Sequence, residues 1–215
     1  MDVTGNMVHR DTKAAKVASG KGFIRSLPVS LISFAGIAGS VSYDPKSEDD
    51  IDIFIITRQG CLWLALFYAL LMRRLRGLKE ICLSLCMDDN FAHGLFSQSL
   101  DKLAARDALR VIPVLGSQYY LELLQLSPLT RRNNYIDYAK QSRTTKTSMA
   151  LKIANAAAYL FVGTYQQVKC TIANYRLKAS GKSEERFDTR MGLHHFFLDS
   201  LKYHNLREGG HINDT

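Results

Sequence analysis

Two carboxylates placed two residues apart, Asp50 and Asp52, have the clearest potential for chemistry in this sequence. They lie at the start of the apolar run Ile51–Thr57 (IDIFIIT), which predicts a buried β-strand. Side chains alternate along a strand, so Asp50 and Asp52 share one face while Ile51 and Ile53 take the other. Neighbouring carboxylates repel each other unless a cation lies between them. Mg²⁺ fits this requirement, because it takes oxygen ligands and usually binds one or two carboxylates together with substrate phosphates.

A Gly-Ser step, Gly39-Ser40, precedes Asp50 by a spacer of nine residues. It follows the β-branched, apolar segment 29–38 (VSLISFAGIA), which predicts a buried strand. Glycine allows the backbone to approach a ligand closely, and Ser40 offers a hydroxyl and a backbone N–H. A short helix after Ser40 would also favour a phosphate at its N-terminus. Carboxylates that hold a metal beside a phosphate cradle are the groups that nucleotidyl transfer needs.

This combination resembles the nucleotidyltransferase superfamily that includes DNA polymerase beta, kanamycin nucleotidyltransferase and the minimal bacterial nucleotidyltransferases. Gly39, Ser40, Asp50 and Asp52 match its pattern of a strand ending in Gly-Ser, a short spacer and Asp-x-Asp in an apolar strand. The resemblance implies an Mg²⁺-dependent enzyme that binds a nucleoside triphosphate, such as ATP, with its phosphates at Gly39-Ser40 and its metal on Asp50 and Asp52. It would transfer a nucleoside monophosphate to an acceptor hydroxyl and release pyrophosphate. The motif covers residues 29–57.

The superfamily usually has a third carboxylate on a neighbouring strand, and this sequence offers two candidates for it. The third predicted strand spans residues 80–87, with Glu80 at its start and Asp88 after its end. If this strand runs parallel to the Asp-x-Asp strand, Glu80 lies beside Asp50; the antiparallel arrangement selects Asp88 instead. If neither residue completes the site, two carboxylates remain, which could bind a nucleotide with Mg²⁺ without turning it over.

The elements that must position these residues follow the order β–β–α–β and then, by pattern, only helices. A helix is predicted over residues 61–75, and helical periodicity recurs from residue 101 onward, over 118–125, 133–178 and 186–207. This order predicts an α+β fold with a small mixed β-sheet core flanked by helices. We assign residues 1–125 to the nucleotidyltransferase-like core and residues 126–215 to a helical, basic C-terminal region.

The charge of the chain is concentrated in its second half. The sequence has 28 Lys and Arg against 20 Asp and Glu, a net charge of +8. Residues 1–60 are neutral, whereas residues 131–182 contain ten basic residues and one acidic residue. Such a segment is typical of a surface that meets an anionic partner, here RNA or another anionic acceptor, or of a solvated basic face. A non-catalytic nucleotide-binding or nucleic-acid/protein interaction module is therefore the alternative function, and a toxin-like enzyme that modifies tRNA or protein is a third.

Composition excludes several other classes of protein. A length of 215 residues suits one domain, or one domain with an appendage. Four cysteines without a Cys-x-x-Cys pair argue against a disulfide scaffold and a zinc site. The longest apolar run, residues 61–72, is shorter than the roughly 20 residues that a membrane span needs. The N-terminus lacks the pattern of a signal peptide, so we predict a cytoplasmic protein with no membrane span.

Overall fold

The computed structural model describes residues 3–98, 102–128, 147–182 and 186–200. Within these residues, six strands form one mixed sheet in the order β4-β1-β2-β3-β6-β5. The strands are β1 (Ile32–Ala38), β2 (Ile51–Thr57), β3 (Ile81–Asp88), β4 (Ile112–Leu115), β5 (Phe187–Gly192) and β6 (His195–Ser200). This mixed architecture agrees with the predicted α+β class, while the nucleotidyltransferase identity of the core stays a prediction.

The helices surround this sheet. They are α1 (Val3–Ile24), α2 (Leu62–Leu75), α3 (Asp89–Ser97), α4 (Lys102–Arg110), α5 (Ser117–Leu124), α6 (Met149–Ala158) and α7 (Thr164–Ala179). A π-helical turn, Tyr159–Gly163, joins α6 to α7. The predicted helix over residues 133–178 is confirmed from Met149 onward, and residues 133–146 lie outside the described residues. In the described part of the chain, no helix is long and apolar enough to cross a membrane.

The three central strands combine antiparallel and parallel pairing. β1 pairs with β2 in antiparallel fashion, and β2 pairs with β3 in parallel. Helix α2 provides the crossover that a parallel pair requires. The end of β1 and the start of β2 therefore lie at the same edge of the sheet, which is where the sequence places its Gly-Ser step and its Asp-x-Asp motif.

Each face of the sheet has its own apolar core. On one face, Ile51, Ile53 and Ile55 pack with residues of α1 and α2, including the fully buried Trp63. On the other face, Phe34 and Phe54 of the central strands pack with α3 and α5. The Phe34 ring stacks on Tyr120 with their centroids 4.1 Å apart. The alternation predicted for the Asp-x-Asp strand is thus confirmed for Ile51, Ile53 and Ile55.

Strand β4 is absent from the predicted elements because Pro113 lies within it. Proline lacks an N–H and is tolerated in a sheet mainly on an edge strand, and β4 is an edge strand. The first strand also begins later than predicted, at Ile32, because Val29–Leu31 forms a 3₁₀ turn after Pro28.

The predicted last helix over residues 186–207 is wrong for residues 187–200, which form the hairpin of β5 and β6. Residues 201–207 lie outside the described residues. The two-residue turn, Leu193-His194, carries no glycine or asparagine, and neither of its residues has a positive φ. The usual sequence signal of a tight hairpin is therefore missing. Contacts from elsewhere hold the turn instead: the Trp63 Nε1–H donates to the carbonyl oxygens of Gly192 and Leu193 at 3.1 and 3.2 Å.

Candidate functional site

Gly39 and Asp52 lie in direct contact where β1 ends beside the start of β2. Their strands are in register here, with Ala38 opposite Asp52. Gly39 has φ +64° and ψ −159°, a conformation that is essentially restricted to glycine. A Cβ atom added to Gly39 would lie 3.0 Å from Cγ and 3.1 Å from Cβ of Asp52. A glycine at this position is therefore needed both for the backbone turn and for the approach of the loop to the carboxylate.

Ser40 opens a 3₁₀ turn, Ser40–Ser42, which leads into the loop before β2. The predicted short helix is thus one turn of three residues, too short to supply a helix dipole. Burial alone would raise the pKa of Asp49, but the Lys46 N–H and the Ser40 hydroxyl hydrogen-bond to its carboxylate and hold the pKa below its ordinary value. Ser40 is therefore tied to the loop as well as to the end of β1.

Two lysines of α1 fasten this loop. The Lys16 Nζ donates to the carbonyl oxygens of Lys46 and Asp49, both at 2.6 Å. One helical turn earlier, the Lys13 Nζ donates to the carbonyl oxygen of Tyr43 at 2.9 Å. These contacts place two cations beside residues 43–49, the loop that connects the Gly-Ser step to the Asp-x-Asp motif.

Asp52 is partly buried, whereas Asp50 is exposed at the sheet edge. Burial raises the pKa of Asp52 to about 6; the Ser84 hydroxyl opposes this shift, and the charge of Asp50 adds to it. A buried carboxylate that lacks a nearby cation is costly for a fold. The Asp52 carboxylate is therefore expected to lower the stability of the fold when no cation is bound beside it.

Asp52 has two neighbours on β3, Ser84 and Cys82, that were not predicted from the sequence to belong to the site. Cys82 is opposite Asp52 in the parallel register, and the side chains of Ser84 and Cys82 both oppose the rise in the pKa of the Asp52 carboxyl. A register shift separates the pairs Ile53–Leu83 and Phe54–Leu85, so Ser84 lies in the irregularity. Residues 82 and 84 are in phase with Glu80 in the sequence, a signal that places them on this face. The irregularity itself has no signal in the sequence.

Neither candidate for the third carboxylate contacts Asp52. β2 and β3 are parallel, which is the arrangement that was expected to bring Glu80 close to Asp50. The backbone of Glu80 does lie next to β2, because the Ile51 N–H donates to the Glu80 carbonyl oxygen at 2.7 Å. The Glu80 carboxylate, however, is exposed and accepts a hydrogen bond from the Ser19 hydroxyl at 3.2 Å. The place beside Asp52 is taken by the Ser84 hydroxyl.

Asp88 lies at the opposite end of β2, where it is paired with Thr57. It is fully buried, and its carboxylate caps α3 by accepting from the Phe91 N–H at 3.1 Å. The His194 Nδ1 lies 2.6 Å from the other carboxylate oxygen. Asp88 thus joins the start of α3 to the turn of the β5–β6 hairpin. These contacts give the buried carboxylate a structural role, at the opposite end of β2 from Asp52.

The donors around Asp52 suit a magnesium ion that arrives with a nucleotide. Among the described residues, no three His, Cys, Asp or Glu side chains stand together as a ready-made metal site. Asp50, Asp52 and Ser84 nevertheless offer hard oxygen donors, and Mg²⁺ usually takes only one or two carboxylates and completes its shell with phosphates and water. Burial, followed by the charges of Asp52 and Asp50, raises the pKa of the Cys82 thiol to about 12. Mg²⁺ also prefers oxygen ligands to sulfur.

Comparisons with protein-family models, with curated proteins and with solved structures return no match for this chain.

Proposed function

We propose that this protein is an Mg²⁺-dependent nucleotidyltransferase that moves a nucleoside monophosphate from a nucleoside triphosphate to an acceptor hydroxyl. The observation that carries the proposal is the close contact between the Gly39 backbone and the Asp52 carboxylate. Because of this contact, the Gly39-Ser40 dipeptide, our candidate for phosphate binding, and the Asp52 carboxylate, our candidate for metal binding, lie at one edge of the sheet. Sequence spacing alone could not bring the two together.

In the proposed reaction, the acceptor oxygen forms a bond to the α-phosphorus while the bond from that phosphorus to the pyrophosphate oxygen breaks. The backbone at Gly39 and the hydroxyl of Ser40 bind and orient the triphosphate. Asp50 and Asp52 would hold the metal, with the Ser84 hydroxyl beside Asp52. A magnesium ion bound there would neutralise phosphate charge and assist deprotonation of the acceptor. Lys13 and Lys16 keep the loop in place, so the chain's contribution is orientation and charge.

The alternative is a non-catalytic module that binds a nucleotide at the same edge of the sheet. One observation favours it: the neighbour of Asp52 on β3 is the hydroxyl of Ser84 instead of a third carboxylate. In both cases the cations of α6 and α7 are available to an anionic acceptor or partner such as RNA.

Calorimetric titration of each nucleoside triphosphate, with and without Mg²⁺, tests the proposal on the wild type, Asp50→Asn and Asp52→Asn. We expect metal-dependent binding by the wild type and a loss of at least about tenfold in affinity in each variant, because each removes one negative charge at the metal. The nucleotide that binds most tightly is then used to search for an acceptor by pyrophosphate release.

Glu122→Gln, at a partly exposed carboxylate of α5, serves as the control and is expected to bind like the wild type. The melting temperature of Asp52→Asn in chelator is expected to equal or exceed that of the wild type, because the substitution removes a buried charge. Pyrophosphate release at wild-type rate by Asp52→Asn would contradict the site assignment. Metal-dependent binding without turnover on any acceptor would select the non-catalytic module.

A further inference from the structure

Helices α2, α6 and α7 expose an unusual amount of apolar surface. Phe161 is 69% exposed and Tyr175 is 73% exposed, although both are large side chains. The exposed large apolar side chains of the segment 149–175 are Met149, Ile153, Leu160, Phe161, Tyr165, Val168, Ile172 and Tyr175, and those of α2 are Phe67, Tyr68, Leu71 and Leu75. We call these twelve side chains the apolar face.

The long helix of the C-terminal half is turned with its polar residues toward the protein. Asn155 is 2% exposed, and its Oδ1 accepts a hydrogen bond from the backbone N–H of Trp63 at 2.8 Å. Gln166 is also buried, and Asn174 hydrogen-bonds to the N–H and the carbonyl oxygen of Phe187. A surface helix of a water-exposed domain normally shows the reverse arrangement. The outward surface is therefore suited to an apolar environment.

The apolar face is continuous from α7 to α2. From Phe161 onward the exposed apolar residues follow one another at intervals of four and three, so they form a single stripe along α7. The Phe161 ring contacts Phe67 of α2, with their centroids 6.3 Å apart. The described segment 149–179 has 31 residues, which corresponds to a length of about 46 Å. The apolar face is therefore an extended stripe, unlike the scattered single apolar residues of an ordinary surface.

Cations border the apolar face. The described residues 147–182 include five lysines or arginines and no acidic residue. By helical spacing, Lys169 and Arg176 lie along one edge of the stripe, and Lys178 lies along the other. A second copy of the chain would bring these like charges together, so charge argues against self-association through this surface. An anionic surface complements it.

We infer that the apolar face docks the protein on the surface of a bilayer that contains anionic phospholipids. The stripe would enter the boundary between headgroups and acyl chains, while Lys169, Arg176 and Lys178 reach the phosphates beside it. Interfacial helices have this combination of an apolar stripe and basic borders. The docking is peripheral, since none of the described helices can span a membrane. No residue of the proposed nucleotide site belongs to the face, although the cations of α7 beside it are the ones that an anionic acceptor would also use.

Flotation of the full chain with vesicles of phosphatidylcholine, with and without phosphatidylglycerol, tests this inference. We expect binding to the vesicles with phosphatidylglycerol, weakening as salt is added. The double variant Phe161→Ser/Ile172→Ser should lower the partition coefficient by at least about tenfold, because it removes inserted hydrocarbon. The double variant Lys169→Gln/Arg176→Gln should lower it by about fivefold per charge.

The matched controls are Leu109→Ser, an exposed apolar residue of α4, and Arg25→Gln, an exposed cation, both outside the face. Both should bind vesicles like the wild type, and all variants should keep the wild-type melting temperature because the changed side chains are exposed. The inference is overturned if the wild type does not float with anionic vesicles, or if the face variants float as well as the controls. A dimer in sedimentation that Phe161→Ser/Ile172→Ser dissociates, without vesicle binding, would assign the face to a second copy instead.

Discussion

Gly39 has two independent reasons to be glycine, its positive φ and its contact with the Asp52 carboxylate. Gly39→Ala is expected to lower the free energy of unfolding by about 1 to 3 kcal/mol, from backbone strain together with the displacement of Asp52. It should also abolish metal-dependent nucleotide binding, because the loop and the carboxylate can no longer meet. Chemical denaturation and calorimetry measure the two effects.

Gly94→Ala is the matched control for this substitution. Gly94 lies in α3, and a Cβ atom added there meets nothing within 4 Å. Alanine at this helical position is expected to raise stability by about 0.5 to 1 kcal/mol and to leave nucleotide binding unchanged. A Gly39→Ala protein with wild-type stability and binding would show that the close approach has no role.

Ser84 provides a test of the missing third carboxylate. We expect Ser84→Asp to lower the melting temperature in chelator, because it adds a charge beside the buried Asp52, and to raise Mg²⁺ affinity by about tenfold or more. Added Mg²⁺ should then restore the melting temperature. Ser84→Asn has a similar size without the charge and should show neither effect. If Mg²⁺ fails to rescue Ser84→Asp, then β3 does not face a metal site.

The sequence predicted the residues at this sheet edge better than it predicted their neighbours. Gly39, Ser40, Asp50 and Asp52 are recognised from local spacing, and the structure brings Gly39 and Asp52 into contact. The neighbour on β3 could not be predicted, because its position depends on the register of two strands and on a local irregularity. The roles of all these residues in binding stay predictions.

At the scale of elements, α2 receives its N-terminal cap from another helix. The side chain of its own N-cap residue, Cys61, makes no capping hydrogen bond to the helix. Instead, the Asn155 Oδ1 of α6 accepts from the backbone N–H groups of Trp63 and Leu64 at 2.8 and 3.3 Å. Two otherwise unpaired donors of a helix start are thus satisfied from a distant part of the chain.

Asn155→Ala is expected to lower the free energy of unfolding by about 1 to 3 kcal/mol, because two backbone donors lose a buried acceptor. Gln167→Ala, the loss of an exposed amide on the neighbouring α7, should change it by less than about 0.5 kcal/mol. Denaturant titration distinguishes the two. Equal stability of Asn155→Ala and the wild type would mean that other groups or water cap α2.

The elements whose signals are local were predictable from the sequence, and those that depend on distant partners were not. The alternating and apolar pattern of Ile51–Thr57 predicted β2 with its observed bounds. The hairpin of β5 and β6 looked helical, because the stabilisation of its turn comes from Trp63 and Asp88, far away in the sequence. Tertiary contacts overrode local propensity there.

At the scale of the whole molecule, the sheet draws strands from both of the regions into which the sequence was divided. β6 pairs with β3, and Phe196 of β6 and Tyr159 of the π-helical turn pack around Trp63. The core on that face therefore includes residues from before and after position 125.

A fragment of residues 1–125 is accordingly expected to lack cooperative thermal unfolding, since it would expose Trp63 and an open edge of β3. Circular dichroism melting of the fragment and of the full chain measures this difference. A fragment that melts cooperatively near the temperature of the full chain would support the predicted domain boundary at residue 125 as a physical one.

The environment of Trp63 has a practical consequence. It is the only tryptophan of the chain, it is fully buried, and its indole N–H is bonded to carbonyl groups at the turn of the β5–β6 hairpin. Release of that hairpin would open the indole to water, shift its fluorescence emission to longer wavelength and admit a soluble quencher. The unlabelled protein thus contains its own optical reporter for the attachment of its last two strands, which can be followed in stopped-flow folding experiments.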